Sequence, residues 1–441
     1  MKKIFILISF IFFLQVNGQE AKQNNYSYSL TQAIDHALQY NYSAINAGKD
    51  IEAAKKKKWE TTTIGLPQIN GNVSYLNNMK MQKNIITVGG ESMPLFIGDY
   101  NSMDSKLTLS QLIFDGSYLV GLESAKTYLK ISENAKQKTN QEIKELTINA
   151  YGNVLLAEES ILIIEKNKTV LEKNLNDTKQ IFKNGFIEEE SIEQLQITLA
   201  SVNSTLSYAK RMKSIASNML KLLMGVDLES EVVLTDKLDD LTSKNIDLTI
   251  LSDGFNVENN IDYQIGKNME ESKRLLLKLE KSKALPSLGA EVNFGYNTIA
   301  SRFGTMFDQK WNNYSNVGVG LNVPIFSSFG RSARTQQAKI ALEQSTTELT
   351  ETSQKLKLQF EKSKSDFEYS IEQYATAKNN LSLAERIEKK QQIKFKEGLS
   401  TSFEFTEAQR QLYSTQQSYL QSMIDVINKR AALEKITNKS N

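Results

Sequence analysis

Residues 316–330 read NVGVGLNVPIFSSFG, and this stretch decides the fold. Bulky apolar residues alternate with small or polar ones, so an extended chain places the two kinds on opposite faces. The apolar residues are Val317, Val319, Leu321, Val323 and Ile325. A strand of about ten residues with one apolar and one polar face is typical of a transmembrane β-barrel. After Gly330, residues 331–397 contain neither proline nor glycine, which predicts a long helix.

Three other segments show the same alternation, and each is joined to a predicted helix. They are residues 68–75 (QINGNVSY), 106–114 (KLTLSQLIF) and 287–296 (SLGAEVNFGY). Any one of them is also compatible with the half-buried strand of a soluble β-sandwich. Four such strands next to very long helices favour a membrane protein instead. Residues 76–105 have no clear period and are predicted to form a long external loop.

The composition excludes several classes of function. The 441 residues carry a net charge of +2 with both signs interspersed, so there is no basic surface for nucleic acid. There is no cysteine and His36 is the only histidine, so thiol, metal and triad chemistry lack their usual residues. No glycine-rich phosphate loop is present in the sequence. We therefore expect no enzyme activity, no metal, no cofactor and no nucleic-acid partner.

The N-terminus has the features of an export signal. Lys2 and Lys3 precede an apolar run at residues 4–16, and Gly18 offers a small residue at the cleavage point. The apolar run is shorter than the roughly 20 residues that cross a bilayer as a helix, which disfavours a membrane anchor. We predict that residues 1–18 are a signal peptide and are removed.

The chain contains an internal duplication. Three landmarks occur twice and in the same order: Leu66-Pro67 and Leu285-Pro286, Ile113-Phe114 and Ile325-Phe326, and the turns 182–185 (FKNG) and 395–398 (FKEG). The predicted boundaries are a first repeat at residues 19–225, an irregular collar at 226–255 and a second repeat at 256–441. Each repeat contains a helix, a strand, a loop, a second strand and a pair of long helices.

Four strands are too few to close a barrel. About eight are the smallest number seen in membranes, and an open strand edge is not tolerated in lipid. Oligomerisation is therefore required if these strands cross a bilayer. Two chains would supply eight strands and three would supply twelve, and only the larger barrel has a clear aqueous lumen.

Together with SLTQAIDHALQYN at residues 29–41, these features resemble the TolC family of outer-membrane efflux proteins. The resemblance implies a mainly α-helical fold with membrane β-strands. Three chains would build a twelve-stranded outer-membrane β-barrel, four strands each, joined to a long α-helical barrel that forms a periplasmic tunnel. It also implies a passive conduit in a tripartite efflux or type I secretion system, surrounded by outer-membrane lipid. Its partners would be a periplasmic adaptor protein and an inner-membrane pump.

The resemblance also suggests functional positions in the two helix-to-helix turns. The adaptor would dock at the tips formed by Gly185 and Phe186 and by Gly398 and Leu399. Glu404 and Glu407 stand where family members carry the acidic residues of the tunnel constriction, and three copies would make two carboxylate rings. For these two residues a solvated helix face is the alternative.

Two gate positions of the family differ in this sequence. The family has a tyrosine at the position of Phe395 and an arginine at that of Ser400, so a salt-bridged latch is not expected here.

A membrane-interface girdle is predicted from aromatic residues near the strand ends. They are Tyr75, Tyr296, Trp311, Tyr314 and Phe326. Core or loop packing is the alternative for these rings, and a soluble periplasmic coiled-coil scaffold is the alternative function.

Overall fold

The computed structural model describes residues 26–81, 83–96, 98–185, 187–252 and 254–438. The chain divides into two compact units, each built from three segments. The first unit takes its described residues from Met1–Asn41, Leu146–Ile246 and Ile371–Asn428, and the second from Tyr42–Glu145, Asp247–Ser370 and Lys429–Asn441. The predicted signal peptide lies outside the described residues. The division into two sequence repeats stays a prediction.

Helices dominate both halves of the sequence. The helices are α1 (Leu30–Tyr40), α2 (Tyr42–Thr63), α3 (Gly116–Lys183), α4 (Glu190–Met224), α5 (Leu238–Asn245), α6 (Thr249–Ser252), α7 (Ile261–Ser282), α8 (Gly330–Lys396) and α9 (Ser402–Thr437). The strands are β1 (Tyr26–Tyr28), β2 (Gln68–Asn77), β3 (Lys83–Val88), β4 (Glu91–Phe96), β5 (Asn101–Asp115), β6 (Val232–Leu234), β7 (Ser287–Ala300) and β8 (Asn312–Asn322). None of the helices in the described ranges is both long and apolar enough to cross a membrane.

The four predicted strands form one antiparallel sheet in the second unit. Its order is β2-β5-β7-β8, which confirms the number of strands. Three of them are longer than predicted, because β2 and β7 continue to Asn77 and Ala300 and β5 already begins at Asn101. The last one is shifted towards the N-terminus: β8 runs from Asn312 to Asn322, so Val323 and Ile325 lie beyond the strand.

The prediction that residues 76–105 form a loop was wrong. This segment contains the hairpin β3–β4, whose two strands pair only with each other among the described residues. The turn is Gly89-Gly90, with φ of 65° and 92°, a conformation that suits a two-residue hairpin turn. Two consecutive isoleucines, Ile85 and Ile86, lie on opposite faces of the hairpin and hide the alternation that identifies a strand.

The helical segment before β2 is interrupted at Asn41, which separates α1 from α2. Ser29 starts α1 through a reciprocal capping box with Gln32. The helix ends at Asn41, which adopts an extended conformation with ψ of 135°. The Asn41 amide donates to the carbonyl oxygen of Leu223 at 2.7 Å, so a tertiary hydrogen bond of the first unit fixes the break.

The core of the first unit is apolar and lies between its long helices. Seven buried residues of α3, α4 and α9 form one cluster: Ile164, Leu171, Leu175, Leu195, Val202, Leu206 and Phe405. Asp236 links the start of α1 to α3, because it accepts hydrogen bonds from the backbone N–H of Leu30 at 2.7 Å and from the Tyr151 hydroxyl at 2.9 Å. Tyr151 is fully buried, and this burial raises the pKa of its phenol.

Candidate functional site

One face of the four-stranded sheet is apolar and exposed. The register places Ile69, Leu109, Val292 and Val317 in one row across all four strands. Further exposed apolar residues on this face are Val73, Tyr75, Leu107, Phe294, Tyr296, Val319 and Leu321. Removing one such side chain from water contributes about 1.5–3 kcal/mol, so a face of this size is built for an apolar surrounding.

The opposite face is polar and internally hydrogen-bonded. Asn70, Thr108, Asn293 and Asn316 form the adjacent row across the same four strands. The Thr108 hydroxyl donates to Asn293 Oδ1 at 2.7 Å, and Asn293 Nδ2 donates to Asn316 Oδ1 at 2.9 Å. The register therefore aligns apolar residues with apolar ones and polar residues with polar ones across the four strands, so the sheet has one apolar and one polar face. Such an arrangement is suited to lipid on one side and water on the other.

The two outer strands of this sheet leave hydrogen-bonding edges. Within the described part of the chain, β2 pairs only with β5 and β8 pairs only with β7. Unpaired backbone groups cost several kcal/mol each in hydrocarbon, so both edges need a partner strand if the sheet crosses a membrane. Because every neighbouring pair is antiparallel, β2 and β8 run in opposite directions and are able to pair with each other between copies.

Two of the predicted girdle residues lie on the apolar face. Tyr75 is 45% exposed, and its hydroxyl donates to Asn101 Oδ1 at 2.7 Å. Tyr296 is 43% exposed and contacts Phe294 edge to face, with ring centroids 5.4 Å apart. Each ring thus has the apolar body and polar tip that favour a membrane interface.

The other predicted girdle residues are placed differently. Tyr314 lies on the polar face, because its register partner is Gly295 and its hydroxyl donates to Asp104 Oδ2 at 2.8 Å. A Cβ at Gly295 would come within 2.6 Å of this ring, so glycine is required there. Trp311 directly precedes β8 and is partly buried. Phe326 follows β8 and is 75% exposed.

The segment between β8 and α8 is an exposed turn with unusual backbone geometry. Ser328 and Phe329 have φ of 48° and 63°, although neither is glycine. This left-handed conformation costs about 1–2 kcal/mol per residue. The turn is closed by a hydrogen bond from Gly330 N to Ser327 O at 2.8 Å.

The two predicted tips end in left-handed glycines, with φ of 78° at Gly185 and 72° at Gly398. Phe186 lies outside the described residues. Leu399 is 77% exposed, and one helical turn later Phe403 is 66% exposed. Sequence analysis missed Phe403, which lies in the first turn of α9, four residues after Leu399 in the sequence.

The two predicted constriction residues have partners within the chain. Glu404 accepts hydrogen bonds from the Ser400 hydroxyl at 2.8 Å and from the Thr401 backbone N–H at 3.0 Å. The Ser400 hydroxyl, then the Thr401 N–H, lower the pKa of the Glu404 carboxyl. Glu407 forms a two-pronged salt bridge with Arg410, with a shortest distance of 2.7 Å. Arg410 was missed in the sequence analysis and offsets the charge of Glu407.

The two positions that differ from the family gate have local contacts of their own. The Phe395 ring stacks on Phe405, with ring centroids 5.2 Å apart and an interplanar angle of 10°. Phe405 is fully buried, so Phe395 extends the core of the first unit towards the second turn. Ser400 is a hydrogen-bond donor to Glu404, where an arginine would be an ion-pair partner.

A family model described as "Outer membrane efflux protein" matches residues 271–439. The similarity of this chain to Outer membrane protein TolC of Vibrio cholerae is 21% identity over 315 residues, which covers 71% of this chain and 68% of that protein.

Solved outer-membrane proteins share the fold of this chain along almost its whole length. The CmeC channel of Campylobacter jejuni is 18% identical, with a TM-score of 0.73 over 92% of this chain and 85% of that chain. VceC of Vibrio cholerae is 15% identical, with a TM-score of 0.71 over 92% of this chain and 95% of that chain. The predicted fold, mainly α-helical with β-strands joined to long helices, is thereby confirmed.

Proposed function

We propose that this chain is the outer-membrane channel of a tripartite efflux or type I secretion system. It serves as a passive conduit through which an inner-membrane pump exports small molecules or proteins. The observation that carries this proposal is the four-stranded sheet, whose apolar face is exposed row by row while its other face is polar. A wall of this kind separates lipid from an aqueous passage without any chemistry of its own.

Three copies are the smallest assembly that gives such a passage a lumen. The β2 edge of one copy would pair antiparallel with the β8 edge of the next, and three copies would close twelve strands. Eight strands, from two copies, leave an interior filled by side chains. A trimer also satisfies both sheet edges of every copy.

The turn at Gly398 is the better-defined docking surface for a periplasmic adaptor. Leu399 and Phe403 are both more than half exposed beside the left-handed glycine. Large apolar side chains at the start of a helix offer anchors for a partner helix. Gly185 and Phe186 would form the equivalent contact at the first turn.

The tunnel constriction would be lined by Glu404 and Glu407, but the two carboxylates are not equivalent. Arg410 neutralises Glu407, whereas the partners of Glu404 are neutral hydrogen-bond donors that keep it ionised. In a trimer the ring of Glu404 would therefore carry more of the preference for cations. Glu404→Gln should reduce that preference more than Glu407→Gln.

The decisive experiment is the native mass of the mature protein extracted from outer membranes in mild detergent. Three copies that conduct ions in a planar bilayer would support the channel. A monomer or dimer released from membranes by a carbonate wash would instead indicate a soluble periplasmic scaffold. The two glutamate variants provide matched tests in the same bilayer, because each removes one charge from a different ring.

A further inference from the structure

We propose that the 325–329 turn is a preformed membrane anchor that Arg331 holds in position. Its partner is the headgroup and glycerol layer of the periplasmic leaflet of the outer membrane. The inference rests on the proposed channel, and it assigns to Ile325, Phe329 and Arg331 roles that the girdle prediction did not include.

The apolar side chains of the turn are exposed to an unusual degree. Ile325 is 88% exposed, Phe326 is 75% exposed and Phe329 is 78% exposed. The two aromatic rings contact each other edge to face, with centroids 5.9 Å apart. A turn that was only a connection between β8 and α8 would have no need of three large apolar side chains in water.

The backbone of the turn is fixed rather than loose. Arg331 Nη1 donates to Pro324 O at 2.8 Å, and Nη2 donates to Ile325 O at 3.1 Å. Its Nε donates to the Ser327 hydroxyl at 3.1 Å. The guanidinium therefore binds three successive points of the segment that precedes the left-handed residues. Lysine could not reproduce this planar, forked geometry.

The position of the turn in the sequence indicates lipid as its partner. Exposed apolar residues continue directly after β8 with Val323 and Ile325, so the turn follows the strand whose apolar face would contact lipid in the proposed channel. Residues 311–330 contain no charged residue, and Arg331 is the first charge after the strand. Aromatic rings next to a first charge are typical of the boundary between hydrocarbon and headgroups.

The test uses single tryptophans as depth probes. The chain has two tryptophans, so Trp59→Phe and Trp311→Phe together give a background free of tryptophan fluorescence. Phe329→Trp is the probe, and Val319→Trp, on the apolar face of β8, is the matched control. Each full-length variant is reconstituted in phospholipid vesicles with bromine near the glycerol or near the end of the acyl chain.

We expect Phe329→Trp to lose more fluorescence to bromine near the glycerol, and Val319→Trp to lose more to bromine near the chain end. Adding Arg331→Ala should weaken the quenching of Trp at 329 by lipid and increase its quenching by aqueous iodide, with no change at 319. Arg331→Lys should give an intermediate result. Migration of the assembled protein in mild detergent shows that each variant has folded.

Three results would overturn the inference. Quenching at 319 without lipid quenching at 329 would show that the turn packs on protein or stays in water, while the channel proposal stands. An unchanged signal at 329 in folded Arg331 variants would remove the role of Arg331. No lipid quenching at either position would contradict the channel itself and the anchor with it.

Discussion

The chain passes from strand to helix twice in the sheet-forming unit, and the two junctions differ although both carry an Ile-Phe pair. At the first junction β5 ends at Asp115 and α3 begins directly at Gly116. The Asp115 carboxylate caps the helix by accepting from Ser117 N at 2.6 Å and Tyr118 N at 3.0 Å. At the second junction seven residues separate β8 from α8, at positions 323–329, and two of them are left-handed.

Packing explains why the first junction is a tight corner and the second is an exposed turn. A Cβ at Gly116 would come within 2.7 Å of Leu285 Cδ1, so glycine allows α3 to start tightly against the neighbouring segment. Phe114 is 40% exposed there, against 75% for its counterpart Phe326. The same apolar pair thus ends a packed corner in one half of the sequence and begins an exposed turn in the other.

The residues around the two Leu-Pro landmarks follow the same contrast. Tyr118 lies against Gly65, where an added Cβ would come within 2.3 Å of its hydroxyl oxygen, and the hydroxyl donates to Thr62 O at 3.1 Å. Counted from the Leu-Pro pair, the position equivalent to Gly65 in the second half is Ala284. Counted from the first residue of the helix, the position equivalent to Tyr118 is Ser332. A large ring is combined with glycine in one half and a small side chain with alanine in the other.

The largest effect is expected from Gly65→Ala. The new methyl group would overlap the Tyr118 ring, and overpacking of this kind costs about 1–3 kcal/mol in stability. Thermal unfolding of the assembled protein in detergent measures the loss. In a Tyr118→Ser background, which copies the small side chain of the second junction, Gly65→Ala should cause little further loss of stability. Equal losses in both backgrounds would show that the ring is not the cause.

Asp115→Ala should have the next largest effect. It removes the acceptor for two N–H groups at the start of α3, and loss of a helix cap costs about 1 kcal/mol. Asp115→Asn keeps an acceptor oxygen and serves as the control, with an expected loss of a few tenths of a kcal/mol. Chemical denaturation of the detergent-solubilised protein distinguishes them. If the asparagine variant were as unstable as the alanine variant, charge rather than capping would explain the role of Asp115.

Strict periodicity makes the sheet and the long helices predictable from sequence. The alternation within a strand also predicts on which face of the sheet each aromatic residue lies. Tyr314 is two residues from Asn316, so alternation alone already places it on the polar face. The contacts of Arg331 and the pairing of Glu407 with Arg410 depend on local turn and rotamer geometry that sequence spacing does not fix. The break at Asn41 depends on the distant carbonyl of Leu223, which no local pattern indicates.

A smaller change of opposite sign is expected from Ser328→Gly at the second junction. Glycine relieves about 1–2 kcal/mol of left-handed strain but increases the entropy of the unfolded chain by about 0.4–1 kcal/mol. The net result should be a gain of about 0.5 kcal/mol by thermal unfolding in detergent. Ser328→Ala keeps the Cβ and should show no gain. A loss of stability in the glycine variant would mean that the Ser328 side chain contributes more than its backbone strain.

The smallest effect concerns the two helix-to-helix turns, which differ as the junctions do. At the second turn Glu404 and Thr401 bond each other's backbone N–H groups, whereas Glu189 at the start of α4 makes no side-chain cap. The Ser400 hydroxyl and then the Thr401 N–H lower the pKa of Glu404. The stabilisation from these two bonds is therefore present above the ordinary glutamate pKa of 4.5 and is lost as the pH falls through the lowered value. The melting temperature of the wild type should therefore fall more between neutral and acidic pH than that of Glu404→Gln. The glutamine variant keeps a capping side chain but has no titrating group at this position. Identical pH profiles would show that the second turn is no more dependent on its cap than the first.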